Sequence, residues 1–202
     1  MKTIPVPVTI TIVLISILAA VFPSLTSLLE LDFQRASQGE IWRWIGGHVV
    51  HFDWSHFFWD VSMFATLSAI CESKYRRVYA PILIGSMLII SLSLAIVCPE
   101  IHCYRGLSGI DTMLFGWWVI DWMRTNLHAK DLPAAGLGGM MLLGLVGKLG
   151  YEAVFQQTLF VQSDAFVPLV EAHIAGLICG ATAALGVPIV QNWTRVRQPI
   201  SV

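Results

Sequence analysis

The sequence predicts an all-α integral membrane protein, a bundle of six transmembrane helices forming a single domain over residues 1–202, and three observations lead there. First, 56% of the 202 residues are hydrophobic and only 12% are charged, whereas a soluble domain carries about 25% charged residues. Second, mostly apolar stretches of about 20 residues recur, the length a helix rising about 1.5 Å per residue needs to cross a hydrocarbon core of about 30 Å. Third, the basic residues are shared unevenly between alternate loops, the asymmetry that orients membrane helices. The same composition excludes a disordered chain and an ordinary cytosolic globule. A net charge of −1 supplies no basic field for nucleic acid. Four cysteines without CxxC spacing indicate neither a disulfide scaffold nor a zinc site.

The first span, Thr3 to Leu29, is uncharged. Its basic start is only Lys2 and further spans follow, so it reads as a retained helix rather than a cleaved signal. Glu30 to Trp54 is long and mixed. Its Trp42, Trp44, Phe52 and Trp54 favour the headgroup region, so part of it is expected in the outer interface. The second span, Trp54 to Ile70, is interrupted by His56 and Asp60, the third, Val78 to Pro99, is uncharged, and the fourth, Gly106 to Ile120, holds Asp111. The fifth, Leu132 to Gly147, is uncharged and glycine-rich; Gly136, Gly138, Gly139, Gly144, Gly147 and Gly150 suggest close or loose packing of that helix. The sixth runs from Ala172 to Trp193 and opens with His173.

Six spans put both termini on one side. Lys2, Lys74, Arg76, Arg77, Arg124, Lys130, Arg195 and Arg197 fall on that side, against Arg35, Arg43, Arg105 and Lys148 on the other. Eight against four makes the terminal side cytoplasmic, and the loops at 30–53, 99–105 and 152–171 then face outward.

Ionisable side chains within a membrane are costly and mark functional sites, unless they are polar groups satisfied inside the bundle. Here they gather near the outer starts of the second, fourth and sixth helices. Ser108 lies in Gly106-Leu107-Ser108-Gly109, where an outer loop becomes a helix. Its hydroxyl can meet a substrate while the free N–H groups and positive helix end favour a developing oxyanion; the alternative is helix packing. His173 shares a face with Gly176 and Gly180, which are four apart and let another helix approach. If that helix is the fourth, His173 is the general base for Ser108; otherwise it is a hydrogen-bonded bundle residue. His56 and Asp60 also share a face. His56 can donate to the oxyanion, with Asp60 orienting it or donating if protonated, or the two form a structural pair. Cys98 and Cys103 flank the outer loop before Ser108. A bridge would brace that loop, and two free thiols are the alternative.

In combination, Trp42-Arg43, His51 with His56 five residues on, Glu72 closing the second helix, Gly106-Leu107-Ser108-Gly109, and His173 with Gly176 and Gly180 resemble the rhomboid family of intramembrane serine proteases. The likeness covers about 40–180. It implies a Ser-His dyad without a third acid or a cofactor: Ser108 as nucleophile, His173 as base, and His56 with the Ser108 N–H as oxyanion donors. The chain departs from the family in Asp60, where asparagine is usual, and in Thr112, where many members carry a tyrosine that stacks on the histidine. With the Tyr104-Arg105-Gly106-Leu107-Ser108-Gly109 string, these features look most like the rhombosortase branch. That branch implies a bacterial inner-membrane enzyme open to the periplasm, acting on secreted proteins with a C-terminal glycine-rich motif, anchor helix and basic tail. The competing expectations are an inactive relative that binds membrane clients and a metal or haem protein using His48, His51, His56, His102 and His173. A transporter is a third, without the paired charges or repeated broken helices of a substrate path.

Overall fold

The computed structural model describes residues 5–155 and 169–196. Lys2, Arg197 and most of the outer loop expected at 152–171 lie outside them. Helix α1 spans Pro7–Val21 and α2 spans Pro23–Leu29. Each starts on proline, whose missing N–H costs nothing in a first turn. Phe22 is extended between them and the two helices are bent by 118°. The span expected over 3–29 is therefore broken in its second half: Pro23 cannot donate back into the preceding turn, and the helix restarts there.

The outer segment that follows is built rather than loose. Strand β1 (Leu31–Asp32) leads into α3 (Phe33–Ser37), capped by the Asp32 carboxylate, which accepts from the Arg35 N–H at 3.0 Å. Helix α4 (Arg43–Gly46) runs into a 3-10 turn at Gly47–Val49. Arg43 is fully buried; it donates to the Ser27 and Glu30 carbonyls and to Glu40, so one side chain fastens the end of α2 to this segment.

Helix α5 runs from Trp54 to Val97, capped by Asp53, but Tyr75 leaves helical geometry (φ −120°, ψ 31°). Ser68 and Tyr79 hydrogen-bond through their hydroxyls across this break. In an unbroken helix, residues so spaced would lie about 16 Å apart. The two arms therefore fold back on each other, as the second and third expected spans require. Near the turn, the buried Glu72 accepts from the Val8 and Thr9 N–H groups at 2.9 and 2.8 Å and from the Thr9 hydroxyl at 2.7 Å. The carboxylate satisfies first-turn donors of α1 that no helical carbonyl reaches.

Strand β2 (Cys103–Tyr104) pairs antiparallel with β1, Leu31 opposite Tyr104. Helix α6 spans Ser108–His128, α7 Leu132–Phe155 and α8 Val170–Val196. The second arm of α5 is central, with Tyr79, Leu83, Met87, Ile90 and Leu94 buried at helical spacing against Ile110, Met113 and Trp117 of α6. Helices α6 and α8 cross in backbone contact: a Cβ at Gly176 would overlap the Gly109 carbonyl oxygen, and one at Gly180 that of Met113. The glycines of α7 are different. Gly138 and Gly139 lie against Met123, but beside Gly136, Gly144, Gly147 and Gly150 nothing stands within 4 Å of an added Cβ, so of the close and loose packing the glycines allow, most of that helix shows the loose.

The protein is an all-α membrane protein, with the short β1–β2 pair as its only sheet among the described residues. Three described helices are long and apolar enough to cross a membrane, or four if the bent α1–α2 pair counts as one. Helix α6 carries Asp111, Asp121 and Arg124 and falls outside that class.

Candidate functional site

Ser108 is the first residue of α6 and His173 lies in the first turn of α8. An added Cβ on Gly109 would meet the Ala172 carbonyl oxygen at 3.1 Å, so the serine and the histidine each sit one residue from the point where the two helix starts touch. Ser108 and His173 are not hydrogen-bonded to each other. The Ser108 carbonyl accepts from the Thr112 hydroxyl at 2.9 Å, and His173 Nδ1–H donates to Glu152 Oε2 at 3.1 Å.

Gly106 has φ +128°, a conformation that glycine adopts without strain. A side chain is doubly excluded there: a Cβ would come within 2.8 Å of the His56 ring and 3.2 Å of Asp60 Oδ2. The Gly106 N–H donates to the Gly47 carbonyl at 3.0 Å, which fixes the loop before Ser108 against the outer segment. Gly106 thus brings the second helix's polar pair beside the loop that carries the serine.

His56 Nε2 is 3.0 Å from Asp60 Oδ2, and His51 Nε2 is 3.6 Å from the same oxygen. All three side chains are nearly buried. The two rings meet edge to face at 5.1 Å, and Phe52 lies parallel to the His56 ring with centroids 6.1 Å apart. The carboxylate therefore addresses two imidazoles, of which only His56 was expected beside it. Burial and the neighbouring His56 charge push His51 below its ordinary value, against the raising effect of Asp60. His48 is also buried; its Nε2 lies 3.0 Å from both the Met87 carbonyl and the Ser91 hydroxyl, and burial pushes it down to about 4. It is thus a neutral structural group tying the outer segment to the second arm of α5.

Two further residues stand near the site: Tyr104, which the sequence offers only as part of a motif string, and Glu152, to which it gives no role. The buried Tyr104 donates its O–H to the Gly106 carbonyl at 3.0 Å, in the loop that leads into Ser108. Burial pushes the phenol up, which keeps it a donor. The signal was its position four residues before the serine, in a loop that proves to be strand-paired. Glu152 stands 21 residues before His173 on another helix, and no local spacing joins them.

Cys98 and Cys103 are free thiols, which corrects the bridged alternative. Cys98 caps α5 and adjoins Glu171, whereas Cys103 is held in β2 beside Glu30 and Arg105. Their side chains face different neighbours. Cys71 and Cys179 are free and buried as well. Among the described residues no three of His, Cys, Asp or Glu are grouped to hold a metal ion. A cavity of about 330 Å³ lies between α2 and the start of α5, with His51, Trp54, Phe57 and Arg105 in its wall. Comparisons of the chain with protein-family models and with curated proteins find no match.

Proposed function

We propose that this chain is an intramembrane serine endopeptidase of the rhomboid type, most like the rhombosortase branch. The observation that carries the reading is the contact of the α6 and α8 starts through Gly109, Ala172 and Gly176, which sets Ser108 and His173 on either side of it. Gly106, His56 and Asp60 adjoin the same loop. An unassisted hydroxyl is a weak nucleophile. In the reaction, the Ser108 proton passes to His173 Nε2 as Oγ bonds the substrate carbonyl carbon. His173 gives that proton to the amine as the C–N bond breaks. Water then attacks the acyl-enzyme with the same proton transfers, releasing a carboxylate and restoring the serine. The Ser108 N–H and His56 stabilise the oxyanion.

The topology in this reading has six crossings with both termini cytoplasmic: α1, the two arms of α5, α6, α7 and α8. The site then opens toward the periplasm of a bacterial inner membrane. Substrates are membrane-anchored proteins with a glycine-rich segment before the anchor, because peptide hydrolysis needs extended backbone and glycine weakens a helix by about 1 kcal/mol relative to alanine.

Asp60 in place of asparagine favours a second reading, an inactive relative that binds clients. A fluorophosphonate probe separates the two. It labels the native chain in detergent micelles and not Ser108→Ala, which removes one hydroxyl at a helix start; equal labelling of both excludes Ser108 as nucleophile, and no labelling of either favours the client-binding reading.

A further inference from the structure

We propose that Glu152 is a positioning residue for His173, making the serine–histidine pair a three-member chain drawn from α6, α8 and α7. This rests on the protease reading above. Glu152 is buried (3% exposed) on a helix otherwise apolar except for Lys148, one turn away. Its Oε2 accepts from His173 Nδ1–H at 3.1 Å, and Lys148 Nζ lies 2.7 Å from Oε1 and 2.8 Å from Oε2. A carboxylate is expensive inside a membrane unless it is paired. Lys148 alone would pair it, and a lysine has a long enough stem to do so nearer the interface. The histidine contact therefore calls for an account beyond neutralising the charge.

That account follows from the chemistry of imidazole. A neutral ring carries one proton, and the hydrogen bond made by one nitrogen decides the state of the other. A carboxylate can only accept, so Glu152 holds the proton on Nδ1 and leaves the Nε2 lone pair for the Ser108 hydroxyl. When His173 takes the serine proton it becomes a cation, and the Glu152 charge then stabilises it where solvent is scarce. Lys148 contacts both carboxylate oxygens and holds the group in place. Asp60, another buried carboxylate near the site, addresses His56 and His51, so Asp60 and Glu152 serve different imidazoles.

The test uses the full chain in detergent micelles, with the rate of fluorophosphonate labelling at Ser108 as one readout and the tautomer of His173, from 15N-imidazole NMR, as the other. Glu152→Ala is expected to slow labelling at least about 10-fold and to abolish the pure Nδ1–H signature. Glu152→Gln preserves the shape and one acceptor oxygen, so it should recover part of both and serves if the alanine variant does not fold. Labelling within about two-fold of native in folded Glu152→Gln and Glu152→Ala, with the tautomer unchanged, overturns the proposal. A native chain that does not label overturns the protease reading instead, while the tautomer measurement still decides whether Glu152 fixes the ring.

Discussion

At the scale of single residues, Asp60 joins two imidazoles through one oxygen. One carboxylate oxygen lies 3.0 Å from His56 and 3.6 Å from His51, an arrangement suited to sharing charge between two rings rather than to direct donation by a protonated acid. On the protease reading, Asp60→Ala lowers kcat about 10-fold or more and changes KM little, as for a group acting mainly in the transition state. Asp60→Asn keeps an acceptor but no charge, so it should recover only a fraction of the loss. Kinetics on a reporter with a glycine-rich segment before its anchor would check this, and full turnover by the alanine variant would return Asp60 to a packing role. Asp60 was legible because it shares a helical face with His56. The place of His51 beside Asp60 was not legible, since nothing in a loop sequence tells which way a ring turns.

At the scale of elements, the crossing of α6 and α8 is the most constrained feature. An added side chain at Gly176 or Gly180 would enter the backbone of α6, whereas one at Gly147 or Gly144 would meet open space. Gly176→Leu is therefore expected to lower the apparent Tm in micelles sharply, by more than about 3 kcal/mol of overpacking, and Gly147→Ala to raise it slightly through helix propensity. Equal effects in a thermal melt followed by tryptophan fluorescence would contradict the geometry. Four-residue spacing made the Gly176–Gly180 face readable, because both lie on one side of any helix. On α7 the sequence left close and loose packing open, because a run of glycines carries no information about which neighbour, if any, lies opposite. The break at Tyr75 was legible as the gap between two apolar runs, and the bend at Pro23 was hidden because apolarity continues through it. The β1–β2 pair has two residues per strand, too short for any alternation to appear.

At the scale of the whole molecule, the end bearing the Tyr75 turn is fastened by Glu72, and the opposite end by Arg43, the strand pair and the Gly47–Gly106 bond. Glu72→Ala leaves two backbone donors and one hydroxyl of α1 without their acceptor, so it should cost about 3 kcal/mol and loosen α1. Reduced thermal stability, with faster proteolysis near Pro7, is the expected result; an unchanged melting curve would show that apolar contact alone holds α1. The candidate active site draws on groups far apart in the chain, and this has a consequence for biosynthesis. Ser108 is translated 65 residues before His173, and Glu152 comes between them. On the protease reading, a nascent chain paused anywhere before α8 holds Ser108 without the histidine that would activate it. On that reading, arrival of the final described helix completes the pair, and the chain stays silent until α8 is in place.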